Sequence, residues 1–286
     1  FVAASFGCCA SSRKSLVLPR WRWHDKRIQI PALSFRETPE TAVQIYAAQR
    51  STREIHMPRL TPQMFTFLND PPVEGTLYDL YDATLKQGKR MFMHFLPKIH
   101  QILGRGIDWE TENEDFYTDK YIPITPQQGE FLYMQALASG ARNIVEFGTS
   151  YGISTLYLAA AAKRNGGRVI TCEYVPHKAE AARKNFERAG LADYIELREG
   201  DALKTLQDME FSPDFVLLDG WPDLVLPVFQ LLEPHLADRA AIAVDDVEGF
   251  GPSMEDYLDY VRTPANGYVS VTMHPSKALE YTVKVA

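Results

Sequence analysis

The chain has 286 residues, of which 45% are hydrophobic and 23% charged. This ordinary globular composition excludes a disordered chain, a collagen or a low-complexity scaffold. No run of roughly 18 apolar residues occurs, which argues against a transmembrane helix and a membrane role. Three cysteines, Cys8, Cys9 and Cys172, are too few for a disulfide framework and form no zinc-type cluster, so a reducing, cytoplasmic setting is the expectation. The net charge of −7 is uneven, with +5 on residues 1–56 and −12 on residues 57–286. An acidic body argues against a nucleic-acid groove and fits a small-molecule protein that holds a cation.

Residues 1–56 read as a basic N-terminal extension. They start without Met, and no acid precedes Asp25. An Arg- and Ser-rich, acid-poor start is compatible with an organellar transit peptide or with an extension that packs on the body or a partner. Residues 57–75, with Pro58, Pro62, Pro71 and Pro72, read as a linker or entry loop. Residues 76–102 read as a helix through Leu77, Leu80, Tyr81, Leu85, Phe92, Phe95, Leu96 and Ile99, interrupted at Gly88 and Pro97. That helix is expected mainly as core, with part of residues 57–122 covering an active site. The six carboxylates from Asp108 to Asp119 read as a solvated loop.

From Thr125 the pattern becomes regular. Thr125-Pro126 opens a helix with Thr as cap and Pro in the first turn. Strands are then expected at 143–147, 168–173, 194–197, 214–218 and 240–244, separated by helices at 153–164, 176–189, after Asp201, and at 223–233. This alternation predicts a parallel, doubly wound α/β sheet. After a helix at 253–262, the segments 268–272 and 279–283 read as a terminal antiparallel hairpin joined around His274-Pro275.

The first strand runs into Glu146-Phe147-Gly148-Thr149-Ser150-Tyr151-Gly152-Ile153-Ser154. Gly148 falls at the strand's carboxyl end, where doubly wound sheets bind ligands, and the helix that follows points backbone N–H groups at that place. Ser150 breaks the dinucleotide fingerprint, and no Gly-Lys-Ser/Thr follows, so neither a nicotinamide loop nor a P-loop is indicated. Glu173 ends the second strand, where a carboxylate can accept both hydroxyls of a ribose. The loop and this acid together point to a nucleoside.

Residues 123–286 resemble the class I S-adenosylmethionine-dependent methyltransferases, and within them the catechol and caffeoyl-CoA O-methyltransferase group. The resemblance rests on Ile124-Thr-Pro-Gln-Gln-Gly129, Val145–Ser154, Glu173, Glu199-Gly-Asp-Ala202, Leu218-Asp-Gly-Trp221 and Val244-Asp-Asp246. It implies a seven-stranded, Rossmann-like methyltransferase sheet whose last hairpin is reversed. It also implies S-adenosyl-L-methionine as cofactor, with Glu146, Gly148, Ser150 and Ser154 at the methionine end, Glu173 at the ribose, Asp201-Ala202 beside the adenine, and Gly152 and Asp219 also among the cofactor-binding residues. The activity implied is methyl transfer to a hydroxyl of a small, aromatic molecule. A homodimer is among the assemblies that the sequence leaves open.

Asp219 ends the fourth strand, and Asp245-Asp246 end the fifth. These three carboxylates should emerge at one sheet edge, where they repel unless protonated or bound to a cation. Oxygen-only ligands suit Mg, Ca or Mn. The resembled group holds such a cation with Asp, Asp and Asn, so Asp246 adds a charge. It also carries a Lys as general base three residues after the first Asp, where this chain has Pro222. Deprotonation would then fall to the metal and solvent, or to a carboxylate such as Asp246 or Asp223, with Asp219 and Asp246 as the catalytic candidates. Trp221 is a candidate wall against a planar substrate, and His177 lies either near the adenine or in solvent. Two rival readings are a metal-free transferase acting on nitrogen or another acceptor, and a nucleotide-binding oxidoreductase or binding module on the same fold.

Overall fold

A computed structural model describes residues 60–98, 117–249 and 251–285, without the side chains of residues 89–95, 98, 251 and 252. The chain divides into two units, Phe1–Met57 and Pro58–Ala286. The basic extension, most of the acidic stretch, His100 and the side chains of His94, Phe92 and Phe95 lie outside the described residues. The second unit is the one described below.

Seven strands form one sheet in the order β3-β2-β1-β4-β5-β7-β6. They are β1 (Asn143–Phe147), β2 (Arg168–Glu173), β3 (Ile195–Glu199), β4 (Phe215–Leu218), β5 (Ala241–Asp245), β6 (Tyr268–Met273) and β7 (Leu279–Lys284). The first five pair in parallel. β7 inserts antiparallel between β5 and β6. The expected doubly wound sheet and reversed hairpin are therefore both present.

Successive side chains on a strand face opposite sides, and here both sides are covered. Ile144, Phe215, Leu217, Ala241 and Ala243 join one apolar core. Val145, Val216, Leu218, Ile242 and Val244 join the other. Continuous burial of this kind explains why the central strands read as unbroken apolar runs.

The region expected as a linker is a structural part of this unit. Pro62–Leu68 form a 3₁₀ helix, and α1 spans Pro71–Phe95, so the helix starts five residues before the expected position. Proline costs no hydrogen bond in a helix's first turn, and the Asp70 N–H donates to the Glu74 carboxylate at 3.1 Å. Phe65, Leu68, Val73, Leu77, Leu80 and Tyr81 are buried in the first core. Leu85, expected on the apolar face, is 64% exposed instead. The Tyr81 hydroxyl donates to the Ile124 carbonyl at 3.1 Å, and Gln87 exchanges two hydrogen bonds with the Tyr121 backbone. α1 thereby fixes the segment leading into α2 (Pro126–Ala138).

The remaining helices are α3 (Ile153–Asn165), α4 (Pro176–Arg188), α5 (Ala202–Thr205), α6 (Val225–Leu232) and α7 (Glu255–Arg262). Among the described residues no helix is long and apolar enough to cross a membrane.

Because Leu77 is fully buried, Leu77→Ala should cost about 2–5 kcal/mol of unfolding free energy in urea titrations. A loss below about 0.5 kcal/mol, the level of a surface site, would show that α1 does not belong to this core.

Candidate functional site

The carboxyl ends of β1, β2 and β4 open into a cavity of about 720 Å³. Its floor is the turn after β1. Gly148 has φ +104, and a Cβ there would lie 2.4 Å from the Asp219 carbonyl oxygen. The glycine expected for close approach of a ligand is thus required by the β4 turn of the chain itself. Ser150 also has positive φ, +48, and Gly152 (φ +86) caps α3. A Cβ at Gly152 would strike the Phe186 ring of α4 at 2.4 Å.

Glu173 braces this turn. One carboxylate oxygen accepts the Ser150 N–H at 2.6 Å and the other accepts the Val175 N–H at 2.9 Å. Its side chain lines the cavity with Gly148, Ser150, Ser154, Asp201, Ala202, Asp219 and Trp221, all of them expected site residues. Asp201 caps α5 by accepting the Leu203 N–H at 3.0 Å. The Ser150 hydroxyl is buried and has no hydrogen-bond partner among the described residues. Such a group normally has one, so a polar ligand atom fits here.

Glu146, Gly152, Asp245 and Asp246 are not part of the cavity lining. Glu146 is fully buried, and its carboxylate accepts from the Thr155 and Thr171 hydroxyls. Burial raises its pKa, and the hydroxyls of Ser154, Thr155 and Thr171 oppose the rise. His177 is exposed and hydrogen-bonds the Thr118 carbonyl at 2.8 Å. The Cys172 thiol, in the cavity wall, is pushed up to about 12 by burial, so it stays protonated and unreactive.

Several wall residues escaped the sequence reading. Tyr121 stacks on Tyr151 with centroids 3.9 Å apart, and the Lys178 ammonium stands 5.7 Å from the Tyr151 ring. Tyr117 tilts against Trp221 at 6.1 Å. Tyrosines 117 and 121 lie in a stretch with no recognisable period, so no pattern marked them.

The three expected metal-binding carboxylates come from neighbouring strand ends, as predicted, but each has its own environment. No hydrogen-bond donor reaches the Asp219 carboxylate among the described residues. Burial, then the charges of Asp245 and Glu146, hold its pKa well above the ordinary 3.8, with Lys277 opposing. Asp245 is 5% exposed and accepts from the Gln128 amide. Burial pushes it up to about 6, again against the pull of Lys277. Asp246, in a left-handed conformation (φ 49), pairs with the Lys277 ammonium at 3.1 Å. Among the described residues no group of three acidic, His or Cys side chains converges as a metal site. As placed, the donors do not fit a divalent cation, because one carboxylate is turned to a lysine and another to an amide. Gln128 lies inside the Ile124–Gly129 motif as the capping-box residue of α2, and no sequence pattern marks Lys277.

Residues 145–247 match the family model described as a methyltransferase domain. That stretch, from β1 to just past β5, is similar to methyltransferase domains. Its sequence relatives include a catechol O-methyltransferase of Mycobacterium tuberculosis, 42% identical over 126 residues, which cover 44% of this chain and 56% of that protein. Another, from Niastella koreensis, is 43% identical over 88 residues, covering 31% and 39%. The chain spans about half the length of the curated relatives it matches. Among solved structures, cofactor-bound Rv0187 from MTB is 29% identical with a TM-score of 0.55, over 58% of this chain and 84% of that one. An O-methyltransferase from Bacillus cereus in complex with SAH, 23% identical, has a TM-score of 0.57 over 86% and 99%, and so shares the fold.

The contact between the β1 and β4 turns and the burial of Asp245 are both testable. Gly148→Val should lower stability by more than about 2 kcal/mol, since it combines positive φ with a backbone clash. A variant with unchanged denaturant midpoint would show that the two turns do not touch. The folded state binds the Asp245 proton more tightly than the unfolded chain does. Its contribution therefore favours the fold below about pH 4 and is lost as the pH rises through about 6. Asp245→Asn should flatten the decline of Tm over that window, and an unaltered profile would contradict the burial of this carboxyl.

Proposed function

We propose that this chain transfers a methyl group from S-adenosylmethionine to a hydroxyl of a small acceptor, most simply an aromatic one. The observation that carries the reading is the arrangement of the cavity. One cavity brings together Glu173, the glycine turn, the unpartnered Ser150 hydroxyl and the Asp219 carboxylate. The names of the relatives, catechol O-methyltransferases, support oxygen as the acceptor atom.

In this reading Glu173 accepts the ribose hydroxyls with the lone pairs that its two backbone donors leave over. Asp201 and Ala202 border the base, while Ser150 and Ser154 receive the amino-acid end. The cofactor brings an electrophilic methyl on a sulfonium, and the protein's part is placement. Trp221 and Tyr117 offer a wall for a planar acceptor.

The acceptor must lose a proton as the oxygen–carbon bond forms. Pro222 cannot take it, and Asp223 is exposed. Asp219 lines the cavity, receives no hydrogen bond among the described residues, and has a raised pKa. Those are the properties of a general base. Asp219 takes the hydroxyl proton, the acceptor oxygen takes the methyl carbon, and S-adenosylhomocysteine leaves. The cation-assisted form expected from the sequence would draw on Asp219, Asp245 and Asp246, and the placement of these residues does not favour it.

Calorimetric titration with S-adenosylhomocysteine tests the reading, with a nicotinamide dinucleotide as the contrasting ligand. Glu173→Gln keeps the shape and removes the charge, so S-adenosylhomocysteine affinity should fall at least ~10-fold. Binding of the dinucleotide alone, or unchanged affinity in the folded variant, would overturn it.

A further inference from the structure

We propose that the Lys277 ammonium is the resident cation of the Asp219, Asp245 and Asp246 cluster, standing where a divalent metal was expected, and that it keeps such a metal out. This rests on the methyltransferase reading only in taking Asp219 as an acceptor-side residue; the charge argument is independent of the reaction.

The placement of Lys277 follows from topology. Leu279, the first residue of β7, pairs with both Asp245 and Met273. The β6–β7 turn is therefore pinned beside the carboxyl end of β5, and Lys277 reaches back over it. Its Nζ lies 3.1 Å from Asp246 Oδ2. The charges of Asp246, Asp245 and Asp219 all favour its ionised form, against its partial burial. One ammonium thus pairs with Asp246, and its charge acts on Asp245 and Asp219 as well.

The surrounding backbone holds this arrangement. The Gly249 N–H donates to the Asp246 carbonyl at 2.8 Å. A Cβ at Gly249 would come within 2.5 Å of the Asp246 carboxylate, so the loop closes tightly behind that side chain. Asp245 accepts instead from the Gln128 side-chain amide of α2. A second contact across the same two loops, His274 Nε2 to Glu248 Oε1 at 3.0 Å, clasps the turn to the β5 loop. A divalent cation entering here would have to displace the ammonium and turn Asp246 around. A positive charge about 4 Å from an incoming cation opposes it strongly in a partly buried site.

The test is Mn²⁺ titration followed by electron paramagnetic resonance, on the wild type, Lys277→Met, Lys277→Arg and the double variant Lys277→Met/Asp245→Asn. Circular dichroism and S-adenosylhomocysteine calorimetry are run on each to report the fold and the cofactor end. Lys277→Met should bind Mn²⁺ about tenfold or more tightly than the wild type. Lys277→Arg, which keeps the charge, should behave as the wild type, and the double variant should lose the gain. Mn²⁺ binding by the wild type as tight as that of Lys277→Met would overturn the proposal, because a folded Lys277→Met variant would then show no gain. Failure of S-adenosylhomocysteine to bind any of the four would instead tell against the proposed function and leave the Mn²⁺ result to be judged by itself.

Discussion

The turn after β1 and the turn after β4 lie in direct backbone contact, and the cavity is built on that contact. Gly148 has no room for a methyl against Asp219, and a Cβ at Gly220 would fall 2.2 Å from the Phe147 ring. The Asp219 N–H donates to the Phe147 carbonyl at 2.9 Å, which ties the two turns together. With a glycine on each side, the first turn can swing out at positive φ, place Ser150 under Glu173 and start α3 at Gly152. It also leaves the Asp219 side chain at the cavity wall. A larger residue on either side would move the cofactor end and the acceptor end apart together.

Charge is distributed along this floor in a graded way. Glu146 is buried among hydroxyls, Glu173 is held by two backbone N–H groups, and Asp219 receives no such donors among the described residues. Each arrangement treats the same functional group differently. Hydroxyls partly offset the cost of burying an ion, backbone donors fix its orientation, and the lack of donors leaves a carboxylate that binds protons readily. The proposed roles of Glu173 as a holder and Asp219 as a base rest on this difference.

Much of this was legible in the sequence because it depends on local rules. The apolar runs, the Thr125-Pro126 cap and the acid at the end of β2 each encode their place within a few residues, and the parallel order then brings strand ends together. Pro71 and Pro72 misled because proline density marks loops and first helical turns alike, and only the burial of Phe65 and Leu68 separates the two. Lys277 was hidden for another reason. Its position follows from the register of β7 against β5, a pairing of residues more than thirty apart, and nothing in the turn around it signals a charge aimed at Asp246. Gln128 was visible as a capping residue, but its second bond, across the domain to Asp245, was not.

The reversed hairpin has a consequence for the order in which the site is completed. β7 fills the gap beside β5 and closes one edge of the parallel sheet, yet it comes later in the chain than every strand it borders. Until it docks, β5 presents an unpaired edge of apolar residues, and Asp219, Asp245 and Asp246 have no counter-charge. Edge pairing and charge neutralisation arrive in the same step, because one turn carries both Lys277 and the start of β7. During synthesis the acidic cluster therefore matures later than the strands around it, and a chain caught before that step exposes both an open strand and a cluster of uncompensated carboxylates.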